Sequence, residues 1–117
     1  MATCSKTGEP NVVPVAFKDV TADGNLVVGD VFLETTLQNL KENDGRIAIS
    51  VYNAKSLEGY QIKGTAVHIT TGELVDSFKK MVESMFYGAA TAKGALVITP
   101  KQIIVTTPDG DNKKVLN

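Results

Sequence analysis

The chain has 117 residues, 43% of them hydrophobic, and a formal net charge of −1. One domain with a real core is the expectation at that length and apolar content, and disorder is not. A single arginine (Arg46) and no lysine–aromatic cluster argue against a nucleic-acid binder, and the lone cysteine, Cys4, excludes an internal disulfide.

Ala2 to Ser5 can form a short strand, and Lys6–Pro10 reads as a turn. Asn11 to Val20 (NVVPVAFKDV) has strand character from Val12, Val13, Val15 and Phe17. Pro14 cannot donate to a ladder, so that strand is expected to be irregular or at an edge, with carbonyls left free for a ligand. Thr21–Asn25 carries an Asp-Gly pair suited to a hairpin. Leu26–Val28 reads as a buried strand, Gly29–Leu33 as a turn, and about Thr36 to Glu42 as a helix. Thr35 and Thr36 stand where that helix begins. A threonine hydroxyl is a favoured N-cap, and free N–H groups at the positive end of a helix dipole can seat a phosphate.

Asn43-Asp44-Gly45 suits a left-handed helix end. Arg46–Tyr52 alternates as a strand. Tyr60–Thr70 is a long strand, and Gly64 inside it marks a bulge or a close approach to the backbone. Glu73–Tyr87 is an amphipathic helix with Leu74, Phe78, Met81, Val82, Met85 and Phe86 on one face. Ala95–Thr99 and Gln102–Thr107 read as two strands separated by Pro100, with a polar tail from Pro108. Six or seven strands with hairpin-length turns and two helices make a mainly β chain, a small β-barrel with helical additions.

Chemistry-bearing residues are sparse. His68 is the only histidine, and it lies in a strand between Val67 and Ile69, which reads as a barrel-surface position. No second histidine or cysteine stands at metal-ligand spacing, so no metal is expected. Cys4 has no visible base partner, and Asp109–Asn112 resembles a calcium loop without its distal glutamate. No acid–base pair is legible, so any chemistry is expected from a bound cofactor. No apolar run reaches the roughly 18 residues of a membrane span and no leader pattern opens the chain, so a cytoplasmic protein without membrane or nucleic-acid partners is expected.

The segments ATCSKTGEPNVVPVAF, LVVGDVFLETTLQNLKEN, RIAISV and GYQIKGTAV, then the amphipathic helix and ALVIT, follow one another from Ala2 to about Thr107. In that order they resemble the FMN-binding split-barrel family, which includes pyridoxamine 5′-phosphate oxidase and small FMN-binding proteins. The resemblance implies one domain over residues 1–117, a split β-barrel. It also implies a homodimer with FMN at the subunit interface and a small-molecule or redox-protein electron partner. It implies that Val13, Pro14, Val15 and Ala16 run beside the flavin ring, and that Gly29, Asp30 and Val31 meet the ring and the ribityl chain. Thr35 and Thr36 would hold the phosphate, with Asn39 supporting that turn. Gln61, with Lys63 and Gly64, would reach the partner's flavin, and Lys18 would meet substrate.

Two departures stand out. The family's basic residue at the helix start is replaced by Thr35, preceded by Glu34. The loss of one charge-assisted hydrogen bond weakens FMN binding by about 10- to 100-fold. The family's helix before the first strand is also missing from the sequence. Arginine-rich substrate residues are not evident, so pyridoxamine phosphate oxidation is not expected. The leading reading is an FMN-dependent oxidoreductase. The alternatives are a flavin binder or sensor without turnover, a barrel that has lost FMN, and a relative holding another cofactor such as haem, for which His68 is the only histidine ligand.

Overall fold

A computed structural model describes residues 1–117. Seven strands and two helices follow in the order β1 (Ala2–Cys4), β2 (Pro10–Val12), β3 (Lys18–Val20), β4 (Leu26–Asp30), α1 (Thr35–Glu42), β5 (Arg46–Tyr52), β6 (Gly59–Ile69), α2 (Glu73–Met85) and β7 (Gly94–Val105). All pairings are antiparallel, and the sheet order is β2-β1-β5-β6-β7-β4-β3.

That order places β2 and β3 on opposite edges, although only Val13–Phe17 separates them in the chain. Seven strands laid flat would hold their outer members about 29 Å apart. The chain from Val12 to Lys18 reaches only about 21 Å when fully extended. The sheet must therefore curl until its edges are bridged, and the chain is a split β-barrel. The expected irregular strand over Asn11–Val20 is in fact two edge strands with a crossing between them. Pro14 sits in the crossing, where no ladder needs its missing N–H. Backbone bonds pin both ends: Met1 and Val13 exchange N–H···O contacts of 3.0 and 2.9 Å, and Gly29 N–H donates to Phe17 at 2.9 Å.

β4 and the first half of β7, Gly94 to Ile98, are buried on both faces, which explains their apolar runs. Val28, Leu96 and Ile98 face an inner cluster with Leu33, Leu40 and Ile47. Val27 and Ala95 face an outer cluster with Phe17, Val75, Phe78 and Val82, which seats α2. The face expected for this helix was turned too far. Val75 lies at its centre, whereas Met81, Met85 and Phe86 are exposed.

Pro100 does not divide two strands, because β7 runs through it. It pairs with Gly64 where β6 shifts register, and β4 has already ended opposite Ile98, so neither neighbour requires its N–H. The polar tail also differs from expectation, because it folds back along β7. Lys113 N–H bonds Val105 (2.8 Å), Leu116 N–H bonds Ile103 (2.9 Å), and the Asn117 amide bonds the Lys101 carbonyl (2.7 Å). It covers the edge that β4 leaves open. No helix is long and apolar enough to cross a membrane.

Candidate functional site

The crossing Val13–Phe17 and the segment from Val28 to Leu33 face each other, because the Gly29 N–H to Phe17 bond holds them together. Between them lies a cleft of about 340 Å³, lined by Val13–Phe17, Val28, Gly29, Val31–Leu33 and Phe86. Sequence reading had singled out Val13, Pro14, Val15, Ala16, Gly29 and Val31, and the fold brings all six to this one cleft. Alternation along the crossing decides what each presents. Val13 and Val15 are half-buried against the inner cluster and Phe17 lies in the outer one, so Pro14 and Ala16 face out. Phe32 is 78% exposed on the wall, and Phe86 meets Phe17 edge-on with ring centroids 6.0 Å apart. Phe32 was not singled out from sequence. Its signal was an aromatic inside a turn, with no periodic partner to bury it.

Lys18 curls back over the crossing, and its Nζ donates to the carbonyls of Val15 (3.4 Å) and Ala16 (3.5 Å). It is the one cation placed on this strand pair beside the cleft.

Asp30 ends β4 and is only 1% exposed. One carboxylate oxygen accepts the Leu33 N–H (3.2 Å), and the other meets His68 Nε2 (3.0 Å). Asp30 therefore shapes the turn that carries the cleft wall instead of lining the cleft. His68 is correspondingly not a bare surface residue, since its side chain is 31% exposed and held by Asp30. Sequence reading missed this pair because the residues are 38 apart and only the β6–β7–β4 register joins them. Gly94 makes the approach possible, for a Cβ there would stand 2.7 Å from His68 Nε2.

The helix start departs from expectation. Glu34, not a threonine, is the N-cap residue of α1, and no side chain caps the helix. The first intrahelical bond runs from Gln38 N–H to Glu34, which leaves the N–H groups of Thr35, Thr36 and Leu37 without intrahelical partners. Thr35 is exposed. Thr36 is buried, and its hydroxyl accepts from Asn11 Nδ2 (3.1 Å), so it offers a ligand its backbone only. The same Asn11 amide reaches Thr3 Oγ1 (3.1 Å), and the buried Asn39 donates to that oxygen too (3.0 Å). Thr3, Asn11, Thr36 and Asn39 thus tie α1 to the first hairpin, a supporting position for Asn39. Gln61 lies apart from the cleft, on β6 opposite Ser50 and Ile104.

The chain matches the family model described as Pyridoxamine 5′-phosphate oxidase over residues 1–110. Among solved structures it is similar to HupZ of Group A Streptococcus, at 24% identity and a TM-score of 0.78, covering 94% of this chain and 85% of that one. It is also similar to an FMN-binding protein from Syntrophomonas wolfei subsp. wolfei, at 21% identity and a TM-score of 0.73, covering 89% of this chain and 73% of that one. No curated protein matches the chain.

Proposed function

The chain belongs to the pyridoxamine 5′-phosphate oxidase family, and from that premise we propose that it is an FMN-binding oxidoreductase acting as a homodimer. The observation that carries the proposal is a closeness in the chain. The apolar cleft, with its exposed phenylalanine, is lined as far as Leu33, and two residues later begins a helix whose first three backbone N–H groups are free of intrahelical bonds. The FMN-binding structural neighbour supports the choice of cofactor.

The residues fit the group in two parts. Pro14, Ala16 and Phe32 offer an apolar face to a flat ring, and the edge of the crossing offers backbone. Thr35, with the N–H groups of Thr35–Leu37, offers donors to a phosphate at the positive helix end. Flavin, when bound, supplies two-electron transfer through N5. The chain's own residues orient the ring, exclude water from one face and hold the phosphate. To Lys18, whose Nζ lies over the crossing, we assign contact with an anionic substrate. Exposed apolar side chains at Val12, Phe32, Met85 and Tyr87 give a second copy something to cover.

The test is a visible spectrum of the purified protein after FMN is added and the excess removed, followed by NAD(P)H under anaerobic conditions. Retained flavin bands that bleach support the reductase. Retained bands that do not bleach point to a binder without turnover. A colourless protein removes the flavin assignment and leaves the fold.

One substitution checks the phosphate end. Thr35→Lys restores a cation beside the free N–H groups. FMN affinity is expected to rise about tenfold, one charge-assisted bond discounted for exposure, while riboflavin affinity stays unchanged. Fluorescence titration of both ligands measures this. An equal gain for riboflavin would place the phosphate elsewhere.

A further inference from the structure

A larger cleft than the apolar one lies elsewhere on the molecule. About 550 Å³ opens on the outer face of the barrel across β1, β5, β6 and β7. Ile47 packs inward, so by strand alternation Arg46 and Ala48 face out. Lys63 stands opposite Ala48 on one side and Gln102 on the other, and Thr65 stands opposite Arg46. The register shift between Lys63 and Gly64, opposite Pro100, bends the surface here and brings Lys101 to the same hollow.

The cleft's charge is one-sided. Arg46 (the only arginine of the chain), Lys63 and Lys101 all line it, and no aspartate or glutamate does. None of the three has a carboxylate oxygen within ion-pairing distance. Three exposed cations with their donors turned to solvent focus a positive potential into a concave surface. In a chain of net charge −1, an unneutralised cluster of this kind is a local feature and not a reflection of overall composition. The neutral side chains beside it, Thr65 and Gln102, add hydrogen-bonding groups.

We propose that this cleft binds a phosphate-bearing small molecule, with Arg46, Lys63 and Lys101 as its anion contacts. Two sources share that chemistry: the phosphate of a flavin held mainly by a second copy of the chain, and the phosphate of a separate nucleotide such as a nicotinamide dinucleotide. The first source rests on the flavin reading above. The assignment of the cleft itself does not, so the two can fail separately.

The probe is inorganic pyrophosphate, titrated calorimetrically into the full chain at low ionic strength. Arg46→Ala and Lys63→Ala are each expected to weaken binding about tenfold, and Lys63→Arg to retain most of it. Lys80→Ala, the same charge change on the exposed side of α2, is expected to leave binding within about twofold. No binding by the native protein, or an equal loss in Lys80→Ala, overturns the proposal. A second arm assigns the source. If Lys63→Ala abolishes the preference for FMN over riboflavin, the phosphate is the flavin's own. If that preference persists while pyrophosphate binding falls, the cleft serves a second phosphorylated compound.

Discussion

Replacing Gly64 with alanine is expected to destabilise the barrel by about 3 kcal/mol or more and to lower Tm by roughly 10 °C. A Cβ at this position would overlap the Thr99 carbonyl oxygen and press on Pro100. The obstacle is backbone, so no rotamer change can clear it. Thr99 is also held from both directions along β7. Ile98 pairs with β4 just before it, and the C-terminal tail bonds Lys101 and Ile103 just after it. Two controls separate this from a general glycine effect. At Gly29 a Cβ would meet the Phe78 ring at 3.0 Å, an obstacle of side chain and not of backbone. Gly29→Ala should therefore cost about 1 kcal/mol. Gly110 has nothing within 4 Å, and Gly110→Ala should stay within about 0.5 kcal/mol. Urea denaturation of the three variants gives the ranking. A Gly64→Ala variant as stable as Gly110→Ala would mean that the bulge relaxes without strain.

Gly64 also shows what could be read ahead of the fold. A glycine inside a long apolar strand signals a close approach, and the neighbouring strand confirms one. Strand existence was legible wherever the period was clean, as in Arg46–Tyr52, which forms β5 over the same residues. What failed was long-range pairing. Pro100 looked like a break because only the partner strand reveals that β4 has ended there and Gly64 stands opposite. The tail looked like an end because its polar residues give no sign that they satisfy the free edge of β7. In α2, Met81 and Met85 fit the helical period of the apolar face, yet they are exposed. The groove they would need is filled from Val75, Phe78 and Val82, one step round the helix.

The candidate site divides in the same way. The crossing and the β4 turn were found from residue order and family resemblance together, and the fold brings them to one cleft. The threonine cap was not found, because Glu34 takes that place and Thr36 is drawn inward by Asn11. The basic cleft was invisible for a physical reason. Arg46, Lys63 and Lys101 lie on three different strands, and nothing in the local sequence of any one of them marks the others.

Asp30→Ala is expected to cost about 1–4 kcal/mol and, beyond that, to loosen the proposed flavin site. The carboxylate is 1% exposed and makes two contacts. Removing it leaves the buried Leu33 N–H without an acceptor, which costs about 1–3 kcal/mol. The contact to His68 adds less, under about 1 kcal/mol, because that side chain is 31% exposed and solvent screens the pair. Asp30→Asn separates the two. An amide oxygen can still accept from Leu33, so most of the stability should return, with a loss of about 1 kcal/mol. His68→Ala removes the partner only, and a cycle with Asp30→Ala should show a coupling near 0.5–1 kcal/mol. The functional consequence follows from where the Leu33 bond lies. It closes the turn Val31–Glu34, which carries Phe32 on the cleft wall and sets the direction in which α1 begins. With the turn released, Phe32 and the free N–H groups of Thr35–Leu37 lose their fixed relation. FMN affinity should then fall about tenfold or more in Asp30→Ala and much less in Asp30→Asn. Val82→Ala, a truncation in the outer cluster that does not line the cleft, tests whether the loss tracks the turn or only the stability. If FMN affinity in the Asp30 variants simply follows their melting temperatures, the carboxylate is a structural anchor of β4 and the turn does not position the site.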